Sequence, residues 1–224
     1  MTFSLAARDP QTGAFGMIIS SSSPAVASRC VNLRPGVGAA ASQNVTNPAL
    51  GPAVLDRLAA GRTAHEAIDA VIETESHPEF RQLTAVDADG RTRVFSGDRA
   101  LGIVAARAVE NAVAAGNMLA SEAVIDAYLD GYLASTAATF EERLLEGFAA
   151  ALAAGGEAGP VRSAGIAVVE DVPWRVTDLR VDDHDDPGAE LARLVALWLP
   201  QKADYRTRGI DPTAAPSYGV PGDE

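Results

Sequence analysis

Hydroxyls, amides and a free amine are the reactive groups that this chain sets close together. Thr2 is followed, after the turn-bearing run Asp9-Pro10-Gln11-Thr12-Gly13, by the cluster Ser20, Ser21, Ser22 and Ser23. Loss of Met1 is chemically reasonable because the side chain after it is small, and it would leave Thr2 with both a β-hydroxyl and an α-amine. Such a residue carries its own base. An α-amine ordinarily titrates near ~7.7–8.0, so at neutral pH part of it is uncharged and able to take the hydroxyl proton, directly or through water. The plain alternative is an initiator Met followed by a strand-forming Thr.

The amides come next. Asn117 stands beside Gly116, which permits close approach. A side-chain amide at a strand end can donate to the oxyanion of a tetrahedral intermediate, an interaction worth roughly 2.7–4 kcal/mol, or it can cap the following turn. Ser42, Gln43, Asn44, Thr46 and Asn47 form a polar cluster at the end of a small-residue strand, residues 36–43. Such a cluster either orients a substrate amide or carboxylate or is a loop capped by Asn side chains.

Other chemistries are weaker. Cys30 has no histidine near it in sequence and reads as a small buried hydrophobe. Glu122 and Asp126, four apart on a helix, fit a solvated face better than an acid–base pair. Asp182, Asp183, His184, Asp185 and Asp186 contain ligands suited to Zn²⁺ or Mn²⁺. Yet adjacent strand residues point to opposite faces, and Asp186-Pro187 reads as a helix N-cap with Pro at the first helical position. A structural Arg180–Asp182 or His184 network is expected there, and no metal or other cofactor is required.

Residues 2–23 read as two strands about a turn, which places Thr2 beside Ser20 and Ser21. Residues 24–35 read as an irregular connection. A short helix started by Pro48 and Pro52 ends at Gly61, and Thr63-Ala64-His65-Glu66 has capping-box form. Asp89-Gly90 marks a hairpin between strands over residues 82–87 and 91–96. Ser121 should cap a helix carrying Val124, Ile125, Tyr128, Leu129 and Tyr132, and Thr139 with Glu142 should open another, stopped by Gly155-Gly156. Residues 163–169 and 175–183 are further strands. The last helix should end at Pro200, making residues 1–200 one domain and 201–224 a tail on the surface or at an oligomer interface.

Composition bounds the function. With 18 Lys and Arg against 30 Asp and Glu, a net charge of −12 argues against nucleic-acid binding. A single cysteine excludes an intrachain disulfide. No apolar run reaches the ~18–20 residues of a membrane span, and the start lacks signal-peptide character, so a cytoplasmic protein is expected. Only 5% of residues are aromatic while 47% are hydrophobic, so closely approaching layers filled by small side chains are expected.

The opening residues 2–10 with Thr12, Gly13 and Ser21 resemble that of the domain-of-unknown-function family 1028, placed in the N-terminal nucleophile (Ntn) hydrolase superfamily. The likeness continues through residues 34–39, Ser42-Gln43, Thr46-Asn47-Pro48, Gly51-Pro52, residues 116–120, Ser163-Ala164 and residues 178–184. Val161-Arg162 departs from the family's Gly-rich, Gln-bearing approach to the Ser. The resemblance implies an α+β fold, a four-layer αββα sandwich of two antiparallel sheets between helix layers, and hydrolase ancestry. It leads to an amidohydrolase acting on a C–N amide or carbamoyl bond of a small molecule. Thr2 would be the nucleophile and Asn117 the oxyanion donor, with Ser21, Gln43 and Asn44 orienting nucleophile and substrate. A non-catalytic binding protein on the same sandwich is the rival, and a metal-dependent hydrolase using Asp182 and His184 a weaker one. Superfamily habit suggests a homodimer.

Overall fold

The computed structural model describes residues 1–220. β1 (Thr2–Arg8) and β2 (Phe15–Ser21) pair antiparallel, with Phe3 opposite Ser20 and Arg8 opposite Phe15. Their turn closes because Asp9 O accepts from Gly13 N at 2.8 Å, with Gly13 at φ 75°, a conformation glycine adopts without strain. Both strands are buried along nearly their whole length. They therefore lie in the middle of a sheet covered on both faces.

The chain continues through α1 (Val26–Cys30), β3 (Val31–Arg34), β4 (Gly38–Asn44), α2 (Leu50–Ala59) and α3 (Ala64–Thr74). β5 (Arg81–Asp87), β6 (Thr92–Ser96), β7 (Ala105–Val109) and β8 (Ala112–Asn117) follow. α4 (Ala123–Ala134), α5 (Phe140–Ala153), β9 (Ser163–Val169), β10 (Arg175–Val181) and α6 (Pro187–Ile210) complete it. A six-stranded sheet runs β10-β9-β2-β1-β8-β7 and a four-stranded one runs β3-β4-β5-β6, every pairing antiparallel.

Three apolar clusters define four layers. Phe3, Leu5 and Ile18 pack under α4, α5 and α6. Ala6, Met17, Ile19 and Val113 meet Ala39, Ala41 and Val86 between the sheets, with Val26, Ala27 and Cys30 of α1 filling one side. Ala40, Leu83 and Ala85 pack under α2 and α3. The result is the expected αββα sandwich, and small residues let its layers approach. A Cβ placed on Gly16 would lie 2.7 Å from Leu144 Cδ1, and one on Gly147 would lie 2.9 Å from Tyr128 O. No helix among the described residues is long and apolar enough to cross a membrane.

Local signals held where they were local. Thr63 and Thr139 both form complete capping boxes, and Asp186 caps α6 by accepting from Ala189 N at 2.9 Å. The Ala-rich stretch over residues 103–116 supplies two strands rather than a helix, turning at Asn111 (φ 65°). Asp126 and Asp130 reach across to Arg107, as a solvated face would.

Three expectations need correction. Residues 24–35 are not irregular: α1 and β3 form there, because Val26, Ala27, Cys30 and Val31 are drawn into the inter-sheet core. Ser121 offers α4 no side-chain cap; Glu122 occupies the N-cap position without a capping bond, and Val124 N meets Ser121 O instead. The last helix does not stop at Pro200 but runs on to Ile210. Contacts on both sides of Pro200 outweigh its missing N–H. Trp198 Nε1 donates to Thr177 Oγ1 at 3.0 Å, while Lys202 pairs with Glu141 at 2.8 Å and Glu170 at 2.6 Å. Beyond the helix, the Tyr218 ring lies against Tyr205, with the Arg208 guanidinium over both. The expected tail is thus helical in its first part, and its last residues, 221–224, lie outside the described residues.

Phe148 of α5 stacks on Phe3 at 5.8 Å, on the opposite face of β1 from Thr2. Phe148→Ala is expected to cost about 3–5 kcal/mol, read as a lowered urea midpoint.

Candidate active site

Side chains alternate along a strand, so Thr2, Ser4 and Ala6 of β1 face the second sheet while Phe3, Leu5 and Ala7 face α4 and α5. The same period sends Ser21 of β2, Asn117 of β8 and Ser163 of β9 inward. Register then aligns them. Thr2 is opposite Asn117, Ser21 is opposite Ser163, and the Phe3–Ser20 pairing sets Thr2 against Ser21. One row, Asn117–Thr2–Ser21–Ser163, therefore crosses four adjacent strands, and all four residues are buried.

The hydroxyls of this row converge on the first peptide. Thr2 Oγ1 lies 3.5 Å from Ser21 Oγ, and both hydroxyls donate to Met1 O. Ser21 Oγ also contacts Ser23 Oγ at 2.8 Å and accepts from Ser23 N at 3.1 Å. Ser163 Oγ donates to Ser23 O at 2.7 Å and accepts from Val26 N at 3.2 Å, fixing the path of the chain after β2. Ser20, on the opposite face, donates to Ser163 O at 2.9 Å.

Behind Thr2 lies a chain of amides that spans the two sheets. Ser4 Oγ donates to Gln43 Oε1 at 2.7 Å. Gln43 Nε2 donates to Gln82 Oε1 at 2.8 Å and to Ala115 O at 3.1 Å. Gln82 Nε2 reaches Ser96 Oγ at 3.0 Å and Gly116 O at 3.1 Å, and Gln82 Oε1 also accepts from Asn117 Nδ2 at 3.0 Å. Asn117 Oδ1 is buried with no hydrogen-bond partner. Asn117 is the member of this network paired with Thr2 in the β1–β8 register.

Glu157 closes the other side. It is buried at 4% exposure in the loop after α5. Its Oε2 accepts from Ser22 N at 3.0 Å, while Oε1 is buried without a partner. Burial pushes its carboxyl up to about 7, against the opposing pull of the chain's amino terminus and of Ser22.

Thr2, Asn117 and Ser21 are thus brought together. Gln43 and Asn44 are not placed beside them in the same way. Gln43 has its polar atoms committed to Ser4, Gln82 and Ala115. Asn44, at φ 73°, donates to Phe80 O at 2.6 Å and accepts from Leu101 N at 3.2 Å, tying two loops. Asp182 pairs with Arg180 at 2.6 Å, Asp183 with Arg162 at 2.9 Å, and His184 Nδ1 accepts from Asp186 N at 3.0 Å. Burial pushes the Cys30 thiol up and leaves it a core group. A cavity of about 420 Å³ is lined by Asp9, Arg143, Glu170 and Lys202, at the far end of β1 from Thr2. Its charges pair among themselves, as in Arg143–Asp9 at 2.8 Å.

Sequence reasoning missed Ser4, Gln82, Ser163 and Glu157. Ser4 was accessible from the period-2 alternation with Thr2. Glu157 carried a fainter signal, a lone acid in the small-residue run Gly155-Gly156-Glu157-Ala158-Gly159.

Fold and site together define a class: an αββα sandwich with a hydroxyl residue at the head of a central strand, buried between the sheets. The model described as "Family of unknown function (DUF1028)" matches residues 2–191, and the chain belongs to that family. Protein SPO2555 from Silicibacter pomeroyi is similar over 88% of this chain and 88% of its own, at 32% identity and TM-score 0.81. Anbu from Yersinia bercovieri overlaps 88% of this chain and 97% of its own, at 11% identity and TM-score 0.40. An Anbu (Gly-1) mutant from Hyphomicrobium sp. strain MC1 overlaps 90% and 96%, at 14% and 0.41. The two Anbu superpositions are too loose to build on. No curated protein matches the chain.

Two outcomes follow from the buried polar groups. Gln43→Leu strands Ser4 Oγ and takes a donor from Ala115 O, while Gln82 Oε1 keeps Asn117 Nδ2; unfolding is expected ~1–3 kcal/mol easier, the cost of a buried polar group left unpaired. Glu157 keeps a proton in the folded state that the unfolded chain has released above the ordinary carboxylate range. Its contribution is therefore fully present below that range and lost as pH rises through about 7. Thermal melts at pH 5 and pH 8 should differ more for the native chain than for Glu157→Gln.

Proposed function

We propose that the protein is an N-terminal nucleophile hydrolase that acts in the cytoplasm on a C–N amide or carbamoyl bond of a small molecule, with Thr2 exposed as the first residue by loss of Met1. The observation that carries this reading is the row in which Thr2 Oγ1 sits between Ser21 and Asn117, buried at the head of a central strand. Burial matters because hydrogen bonds aimed at developing charge are worth more away from water.

The steps balance on the residues at hand. The neutral α-amine of Thr2 takes the hydroxyl proton while Oγ1 bonds to the substrate carbonyl carbon and the π pair moves to oxygen. The second amide hydrogen of Asn117, whose first is held by Gln82, donates to that oxyanion. Collapse breaks the C–N bond, and the ammonium returns its proton to the leaving nitrogen. Water then hydrolyses the Thr2 ester by the same route in reverse. Ser21 orients Oγ1. Gln43 acts through Gln82 to hold Asn117, and Asn44 shapes the rim by anchoring residues 80 and 101. No cofactor enters this scheme.

One observation supports the rival reading of a binding protein. While Met1 remains, its carbonyl accepts both hydroxyls, and the nucleophile is capped. Intact-mass spectrometry before and after a panel of electrophilic amides and esters separates the two. The expected result is a chain lacking Met1 that gains one adduct on Thr2, absent in Thr2→Ala and formed about 10²–10³ times more slowly in Asn117→Ala. A chain that keeps Met1 and refuses every electrophile would sink the hydrolase reading.

A further inference from the structure

We propose that Glu157 is the counter-ion of the α-amine that Thr2 gains when Met1 is lost, a positioning residue that sets the direction and basicity of that amine. The mechanistic use of the pair rests on the hydrolase reading above; the pair itself does not.

The argument is one of placement. In the sheet, β1 lies between β2 and β8. The backbone around Glu157 is fastened to the chain leaving β8: Leu119 bridges to Glu157, Ala120 N donates to Gly156 O at 3.0 Å, and Ala158 N to Met118 O at 2.9 Å. Its carboxylate is fastened to the chain leaving β2, through Ser22 N at 3.0 Å. Glu157 thus spans the gap between the ends of β8 and β2, where Met1 lies level with Ser22, and loss of Met1 would leave the Thr2 amine heading that gap. The Met1 side chain already lies along this loop, its Cε 3.6 Å from where a Cβ on Gly159 would stand.

The carboxylate also lacks a partner that this position would supply. Oε1 is buried and unbonded, and a buried carboxylate oxygen calls for a charged or polar donor. Among the described residues, neighbouring elements bring Oε1 none. β1, β2 and β8 contribute the neutral Thr2, Ser4, Ser21 and Asn117. From α1, Arg29 is bound to Ser23 Oγ and the carbonyls of Pro24 and Ala25, and Cys30 is a buried thiol. Arg162, ahead of β9, is paired with Asp183 and Asp185. His184, whose N donates to Arg162 O, is turned toward Asp186 N through Nδ1. Among the described residues the amino terminus is the remaining nearby cation, and even one residue further out, on Met1, it favours the ionised form of Glu157.

In the reaction the amine takes the Thr2 hydroxyl proton and becomes an ammonium. Glu157 then stabilises that charge and forms no bond to substrate. An anion beside an amine favours its protonated form, so Glu157 raises the proton affinity of the amine and moves the pH at which Thr2 becomes reactive.

The test uses protein prepared with Thr2 as its first residue and ¹³C-labelled threonine. The NMR titration of the Thr2 Cα reads the amine without any need for turnover. Glu157→Gln retains an acceptor for Ser22 N and should lower the proton affinity of the amine about tenfold, with Glu157→Asp recovering part of the shift. The pH profile of adduct formation on Thr2 should move by the same amount. Coincident titrations of native protein and Glu157→Gln would overturn the proposal, even if Thr2 reacts. A titration that shifts in a protein that never forms an adduct would uphold the pair and remove the hydrolase reading instead.

Discussion

The desolvated amide of Gln43 is the interaction on which the rest of this structure depends. Two apolar sheet faces can pack in several offsets, because dispersion is non-directional. A buried amide cannot. Its donors and acceptor must all find partners, and here they lie on both sheets: Ser4 and Ala115 on one, Gln82 on the other. The amide therefore fixes the offset of the sheets, and with it the height at which Thr2, Asn117 and Ser21 face the second sheet. The inter-sheet layer is apolar through Ala6, Met17 and Ile19 and becomes more polar toward this end.

Small side chains make such a layer possible. Ala39, Ala41 and Ala115 allow backbone to approach closely enough for a glutamine on one sheet to reach a carbonyl of the other. Alanine contributes little apolar area by itself. The large residues that stabilise the molecule, Phe3, Tyr128 and Phe148, are placed instead on the outer face of the same strands, where they form one aromatic group. Sites and stability are thus separated by the alternation of a single strand, β1.

How much could be read from the sequence follows from how local each feature is. The first hairpin brings Thr2 beside Ser21 because only a short turn separates its strands, and both capping boxes need only four residues. The sandwich and the family were legible through blocks distributed along the chain, although alanine-rich β8 would be helical by propensity alone. Gln82 and Glu157 were not legible, since their roles depend on one sheet lying over another and on a loop crossing two strand ends. Gln43 and Asn44 were visible as polar groups, but nothing in their types shows that their bonds would be closed internally. Pro200 misled for the same reason: Lys202 and Trp198 fasten the helix on either side of it, through partners in β10, α5 and the β9–β10 connection.

The grip on Met1 has a consequence for how the protein is made. Enzymes that trim a first residue need an extended, accessible chain end. In the folded molecule the Met1 carbonyl is held by two hydroxyls and its side chain lies along the loop at Gly159. On the proposed hydrolase reading, trimming would have to outrun the pairing of β1 with its neighbours. The share of molecules bearing a free threonine amine would then be decided by a race during synthesis, and a cell that made the chain faster than it trimmed it would accumulate a folded and capped form.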